Sequence, residues 1–238
     1  MLQTSSYLFG QFFPLFCPML QDFIHDMQKL AIPEKVAGME AYLKDQFKVL
    51  GVNSPERKSL YPTYFNAWKK LSKAEQEQIA IDLWNQPFRE FKYVSIDWMR
   101  RAGLFKQQGS IALFERCILE DSWWDTVDGL ASNLVGGYFL KFPQERDAWI
   151  EKWDNGDNLW LHRTTLIFQL KYKDKTDLDL LDYLIKRHKD SKEFFIRKAI
   201  GWSLREVAKR NPLWVLEILD TVELSGLSQR EARKGIPK

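Results

Sequence analysis

Apolar residues recur along most of the chain at intervals of three and four, which is the spacing of amphipathic helices. In residues 19–30, for example, Phe23, Ile24, Met27 and Leu30 share one face. No stretch keeps the alternation of apolar and polar residues between turn residues that is typical of a strand. Helix starts are predicted at capping residues, namely Ser54, Ser72, Ser122, Thr176 and Ser191. The pattern predicts an all-α protein of short helices joined by short loops.

An aromatic residue opens each of four predicted helices at a nearly constant separation. Phe88, Trp124, Trp160 and Phe195 are 36, 36 and 35 residues apart. Periods of this size are typical of helical-hairpin solenoids, in which like-numbered helices of successive repeats form one wall. We therefore predict an α-solenoid (a superhelix of repeats) whose concave wall is the binding face.

Positions zero, three, four and seven residues after each aromatic lie on the same face of its helix. On the predicted wall these positions hold a stripe of four chemically distinctive residues. Asp128 follows Trp124 by four residues, and Arg163 and Trp202 follow the aromatics of the next two repeats by three and seven. A carboxylate, a guanidinium and two indoles together are compatible with a catalytic site. They are equally compatible with a core between repeats, in which an Asp–Arg pair ties two repeats together.

The charges are distributed unevenly between the two ends of the chain. Residues 1–159 carry 18 Lys or Arg against 21 Asp or Glu, and residues 160–238 carry 17 against 11. A basic C-terminal part indicates a polyanionic partner, although charge alone fits nucleic acid, a membrane surface or a solvated face. Cations surround the stripe at a density that could follow a phosphate backbone: Lys171, Lys173, Lys192, Arg197, Lys198, Arg205, Lys209 and Arg210.

If the ligand is duplex DNA, a carboxylate beside two indoles suits the departure of a base from deoxyribose through an oxocarbenium-like transition state. Asp128 would stabilise the developing positive charge and align the attacking water, while Trp124 and Trp202 would face the sugar and exclude solvent. Arg163 would hold a phosphate or fix the carboxylate. No partner acid is evident on the wall, and none is needed if the leaving base is already cationic, as an alkylated purine is.

The N-terminal apolar run, residues 7–20, contains Pro14 and Pro18 and has no basic segment before it. It is too short to span a bilayer, so we predict neither a targeting signal nor a membrane segment. We interpret residues 1–18 as a leader or a misassigned start and residues 19–238 as a single domain. Two cysteines are too few for a disulfide scaffold, which indicates a reduced, cytoplasmic protein.

Other kinds of active site have weak support in the sequence. The three histidines, His25, His162 and His188, are dispersed, and no Cys or His pair has metal-ligand spacing, so neither a metal nor a cofactor is expected. Neither cysteine belongs to a Cys/His catalytic signature. Gly136 and Gly137 lack the spacing of a phosphate-binding loop and are expected at a close contact between helices.

Four separated segments resemble, in order, the AlkD family of bacterial DNA glycosylases: residues 122–128, 158–163, 168–173 and 191–206, with residues 50–57 fitting it as well. The resemblance extends from about Met19 to about Arg233. It implies HEAT-like repeats curved around DNA, and release of N3-alkyladenine and N7-alkylguanine without a metal. It also implies base excision repair by a monofunctional, monomeric enzyme that associates with nucleoid DNA and does not draw the base into a tight pocket.

The resemblance also implies roles for individual residues. Asp128 matches the catalytic carboxylate, Trp124 and Trp202 match residues that contact the lesion's deoxyribose, and Arg163 matches the active-site arginine. The predicted DNA contacts are Lys171, Lys173, Arg197, Lys198, Arg205 and Lys209, with Asn53, Tyr42 and Arg57 near the first repeats. Asn53 stands where a longer polar residue such as Gln is expected.

Two other classes of protein fit parts of the pattern. A non-catalytic HEAT-like protein would use the same wall to grip bent or branched DNA, but relatives of that kind have lost active-site residues that this chain keeps. A protein-binding scaffold would need an apolar groove, which is not evident. The sequence therefore favours a glycosylase acting on duplex DNA that contains alkylated purines.

Overall fold

The computed structural model describes residues 18–237, and these residues form helices without any strand. The predicted all-α class is confirmed. The predicted leader lies outside the described residues, except for Pro18, which begins the first helix. No helix within residues 18–237 has both the length and the apolar character that crossing a membrane requires. The chain divides into two compact units, one up to Ser95 and one from Ile96 onward.

The first unit is built from short helices around an aromatic cluster. Phe23 packs edge-on against Tyr64 and Trp68, with ring centroids 5.1 and 5.3 Å apart. The face predicted for residues 19–30 is therefore the buried face. The helices are α1 (Pro18–Lys29), α2 (Pro33–Tyr42), α3 (Ser54–Ser59), α4 (Tyr61–Trp68), α5 (Lys73–Trp84) and α6 (Arg89–Ala102), the last of which continues past Ser95.

A buried carboxylate fixes the loop that leads into α3. The side chain of Glu90 accepts hydrogen bonds from the backbone N–H groups of Leu50 (3.0 Å), Gly51 (2.9 Å) and Val52 (3.1 Å). Gly51 has φ +82°, and a Cβ there would lie 2.2 Å from the carbonyl oxygen of Ile32. The loop thus depends on a glycine backbone and on an acceptor that satisfies three buried donors.

Replacing Glu90 with Gln is expected to lower the free energy of unfolding by about 2 kcal/mol, because an amide offers fewer acceptor sites and no charge to the three N–H groups. Urea unfolding measures the change. Glu77→Gln is the matched control, since the Glu77 side chain is partly exposed and its ion pair with Lys73, at 3.7 Å, is a surface pair one helical turn apart, and its cost is expected to be below about 0.5 kcal/mol. Equal midpoints for the two variants would contradict this assignment.

The second unit contains a layer of stacked helices. Helix α11 contacts both α8 and α13, and α13 packs closely against α15. This layer corresponds to the wall predicted from the 36-residue period. The helices are α7 (Ile111–Leu119), α8 (Trp124–Gly129), α9 (Gly136–Lys141), α10 (Pro143–Asp154), α11 (Leu159–Ile167), α12 (Leu178–His188), α13 (Phe194–Ala208), α14 (Pro212–Thr221) and α15 (Gly226–Arg233).

A π-helical segment, Leu130–Val135, joins α8 to α9, so that residues 124–141 form one continuous helix. A Cβ at Gly136 would lie 2.3 Å from the carbonyl oxygen of Phe168, and one at Gly137 would lie 2.8 Å from the ring of Phe105. The glycine pair therefore permits close helix packing, as its sequence context predicts.

The helix starts agree only in part with the predicted caps. Ser72 caps α5 and forms a reciprocal capping box with the residue three positions later. The predictions of Ser54 and Thr176 are wrong, because Asn53 is the N-cap residue of α3 and the side chain of Asp177 caps α12. Ser122 and Ser191 lie one and two residues before the N-cap positions of α8 and α13, which have no side-chain cap. Several polar residues precede each of these helices, and the pattern does not distinguish between them.

Candidate active site

A pocket of about 380 Å³ lies on the helix layer of the second unit. It brings together the four residues of the predicted stripe, which come from α8, α11 and α13. Trp124 and Asp128 are one turn apart on α8, as their spacing predicts. The other lining residues are Phe194, Phe195, Lys198, Arg205 and Glu231.

The central interaction of the pocket is a two-pronged ion pair between Asp128 and Arg163. The guanidinium Nε donates to Oδ1 at 2.7 Å and Nη2 donates to Oδ2 at 2.9 Å. The remaining prong, Nη1, donates to the carbonyl oxygen of Phe195 at 2.6 Å. Arg163 is only 4% exposed. One buried side chain therefore connects α8, α11 and α13 and fixes the orientation of the carboxylate.

Two opposing effects act on the Asp128 carboxyl group. Burial raises its pKa above the ordinary value of 3.8, and the hydrogen bonds and charge of Arg163 act in the opposite direction. Asp125 adds a smaller upward effect. The site thus holds a carboxylate that is more basic than an exposed aspartate and is paired with a permanent cation.

The aromatic residues divide between packing and the pocket. Trp123 packs against Trp160 and Phe195, with centroids 5.7 and 5.4 Å apart, and those two rings are 4.9 Å from each other. These three rings pack together between successive repeats. Trp124 and Trp202 line the pocket, and Phe195 takes part in both the packing and the lining. A catalytic role for Trp124 and Trp202 stays a prediction.

Glu231 is a second carboxylate in the pocket that the sequence pattern did not identify. It is 7% exposed and binds Lys198 (2.9 Å), Lys234 (2.8 Å) and Arg205 (3.0 Å). The bonds from Lys234 and Lys198 lower its pKa to about 2. A sequence signal does exist, because Glu231 is the one acidic residue in the basic run of residues 230–234.

The predicted DNA-binding cations of the second unit have different surroundings. Lys198 and Arg205 line the pocket, and the Arg205 guanidinium lies 5.9 Å from the centroid of the Trp202 ring. Arg197 donates to the backbone carbonyl of Ser191 at 3.0 Å and so supports the start of α13. DNA contact by these cations stays a prediction.

A second hollow, of about 420 Å³, lies where the C-terminal ends of α11 and α13 meet. Its cationic lining residues are Lys171, Lys173, Lys209 and Arg210. Lys171 binds the side-chain oxygen of Asn133. Three of the predicted DNA contacts are thus grouped at this hollow.

The remaining predicted DNA contacts, Tyr42, Asn53 and Arg57, belong to the first unit. Tyr42 is 66% exposed at the end of α2. The Asn53 amide is exposed and reaches Glu56 at 3.4 Å, and Arg57 donates to the Tyr61 hydroxyl at 3.2 Å. Their contact with DNA also stays a prediction. Within residues 18–237, no group of His, Cys, Asp and Glu side chains is arranged to hold a metal ion.

The fold and the pocket together define a helical-repeat protein with an ion pair and indoles on one helix layer. Residues 23–236 match the family model described as DNA alkylation repair enzyme, and the chain belongs to that family. The resemblance to the AlkD family is therefore confirmed.

A solved structure with the same fold is described as "Predicted DNA alkylation repair enzyme from Enterococcus faecalis". It is 33% identical to this chain, the match covers 87% of this chain and 97% of that chain, and the TM-score is 0.82. No curated protein sequence matches the chain. The structural likeness supports the predicted repeat fold.

Proposed function

We propose that the protein is a DNA glycosylase that hydrolyses the N-glycosidic bond of cationic N3- and N7-alkylated purines in duplex DNA. The observation that carries the proposal is the Asp128 carboxylate, which Arg163 holds by both oxygens in a pocket lined by Trp124 and Trp202. Membership of the DNA alkylation repair enzyme family supports the same conclusion.

Asp128 is the group that acts on the sugar in this proposal. As the base departs, positive charge develops at the anomeric carbon, and a fixed carboxylate stabilises it without reorganising. The two bonds from Arg163 leave further lone pairs on both oxygens, so Asp128 is still able to accept a proton from, or align, the attacking water. Its raised pKa favours this role.

The faces of Trp124 and Trp202 contact the deoxyribose and exclude bulk water. Their π-electrons also attract the cationic sugar. Glu231 is ionised at neutral pH and has no proton to donate to the leaving base. A base that already carries a positive charge needs no such donor, and the reaction therefore selects alkylated purines over normal ones.

The basic residues supply affinity for the phosphate backbone. Because the site is assembled within one chain, the proposal needs no partner subunit, and we expect a monomer. The site requires neither a metal nor a cofactor in this scheme. We expect the enzyme to begin base excision repair in the bacterial cytoplasm.

The test is release of free base from duplex DNA that contains a single 7-methylguanine. We expect release from this duplex and none from the unmodified duplex of the same sequence. The sugar–phosphate strand should stay intact until it is treated with alkali, as for a monofunctional glycosylase. Tight duplex binding without base release would replace the proposal with the non-catalytic, DNA-structure-binding alternative.

Lys171→Ala is expected to weaken binding of any duplex and to reduce the slope of log affinity against log salt by about one, because one phosphate contact is lost. Lys186→Ala is the matched control, since Lys186 lies on α12 outside both hollows and pairs with Asp182. Fluorescence anisotropy at several salt concentrations measures both slopes. Identical slopes for the two variants would remove Lys171 from the DNA interface.

A further inference from the structure

Glu231 is bound on both carboxylate oxygens. Oε1 accepts hydrogen bonds from Lys198 at 2.9 Å and Lys234 at 2.8 Å, and Oε2 accepts one from Arg205 at 3.0 Å. Lys198 and Arg205 line the pocket with Asp128, whereas Lys234 does not. The C-terminal helix α15 thus contributes a buried anion that holds two cations at the candidate active site.

The position of α15 is set by an unusually close contact with α13. A Cβ at Gly201 would lie 2.5 Å from the Cβ of Glu231 and 2.8 Å from the carbonyl oxygen of Ser228. The Ser228 hydroxyl donates to the carbonyl oxygen of Arg197 at 2.9 Å. The backbone of α15 therefore lies against α13 beside the pocket, and the Glu231 side chain has little freedom to move.

The charges in the pocket explain why an anion is useful there. The lining includes three cationic side chains, Arg163, Lys198 and Arg205, and two anionic ones, Asp128 and Glu231. The proposed substrate is cationic and its transition state places positive charge on the sugar. Lys198 and Arg205 attract phosphate, but without Glu231 their charge would oppose the cation that Asp128 stabilises.

We propose that Glu231 is a positioning residue that acts through Lys198 and Arg205, fixing both cations at the edge of the pocket and balancing their charge during base release. This inference rests on the proposed glycosylase function. The arrangement lets cations for DNA binding lie beside a site that must tolerate a cationic transition state. Arg205 is oriented by the same interaction, next to the Trp202 ring.

Glu231→Gln tests the inference, with Glu217→Gln as the matched control. Glu217 is an exposed residue of α14 and lines neither hollow. Each substitution removes one negative charge from the second unit, and only Glu231→Gln changes the pocket. Single-turnover base release at saturating protein reports the chemical step, and affinity for the undamaged duplex is measured separately.

We expect Glu231→Gln to slow base release about tenfold, whereas Glu217→Gln releases base at the wild-type rate. Both variants should bind undamaged duplex at least as tightly as the wild type, because each has gained positive charge. Adding Lys198→Gln to Glu231→Gln removes the excess positive charge. The double variant should release base about threefold faster than Glu231→Gln alone. A purely structural role for Glu231 would not produce that recovery.

Equal rates for the wild type and Glu231→Gln would overturn the inference. So would a Glu231→Gln variant that loses rate, affinity and thermal stability together and gains nothing from Lys198→Gln, because Glu231 would then only support the fold. If the wild type itself releases no base, the proposed function fails and this inference fails with it. The wild-type measurement therefore separates the two failures.

Discussion

Asp128→Asn is expected to lower the single-turnover rate of 7-methylguanine release by about 100-fold or more. Asparagine keeps the shape of the side chain but has no negative charge for the sugar cation and no basic oxygen for water. The amide oxygen still accepts a bond from Arg163, so the variant should fold and bind duplex DNA. Affinity close to the wild-type value would assign the loss to the chemical step.

Asp125→Asn is the matched control for Asp128. It makes the same replacement one turn earlier, at a residue that does not line the pocket. The rate at neutral pH should be unchanged. The acid limb of the pH profile should move slightly to lower pH, since Asp125 raises the pKa of Asp128. Unchanged turnover in Asp128→Asn would exclude the proposed mechanism, whatever the control does.

Arg163→Ala should be the most destabilising of the substitutions considered, with a loss of about 3–5 kcal/mol of unfolding free energy. The Asp128 carboxylate would remain in a buried site without its cation, and the carbonyl of Phe195 would lose a donor. Chemical denaturation measures the loss. Arg116→Ala is the control, because Arg116 forms an exposed pair with Glu120 at 2.9 Å and should cost less than about 1 kcal/mol.

The same variant should change the pH dependence of base release in a defined direction. Burial already holds the pKa of Asp128 above 3.8, and Arg163 opposes that rise. Activity requires the carboxylate, so it is lost as the pH falls through this pKa. Without Arg163 the pKa rises further, and the acid limb of the profile moves to higher pH. An acid limb at the wild-type position would contradict the assignment of Asp128 as the titrating group.

Helical periodicity made the main features of the pocket predictable. Trp124 and Asp128 are one turn apart on a single helix, and the 36-residue period related that helix to those carrying Arg163 and Trp202. Local spacing and one repeat length were therefore enough to place four residues on one surface. The sequence offered the contact between Asp128 and Arg163 only as one of two roles for Arg163, since it depends on the distance between α8 and α11.

Glu231 was missed for a different physical reason. It lies on α15, a short helix beyond the last aromatic of the period, and no repeat offset applies to it. Its place in the pocket results from the tight packing of Gly201 against α15, which is a property of backbone surfaces rather than of side-chain pattern. A single acidic residue within a basic run is a usable signal for such a position.

The π-helical segment between α8 and α9 fixes the rotation of the second part of this continuous helix relative to the first. A π turn contains more residues than an α turn, so it takes up an extra residue that in a regular α-helix would rotate the following part by about 100°. Asp128 lies in the part that ends at Gly129, and the close packing at Phe168 depends on the part that begins at Gly136. The π-helical segment therefore sets the direction of Gly136 toward Phe168 relative to that of Asp128 toward the pocket.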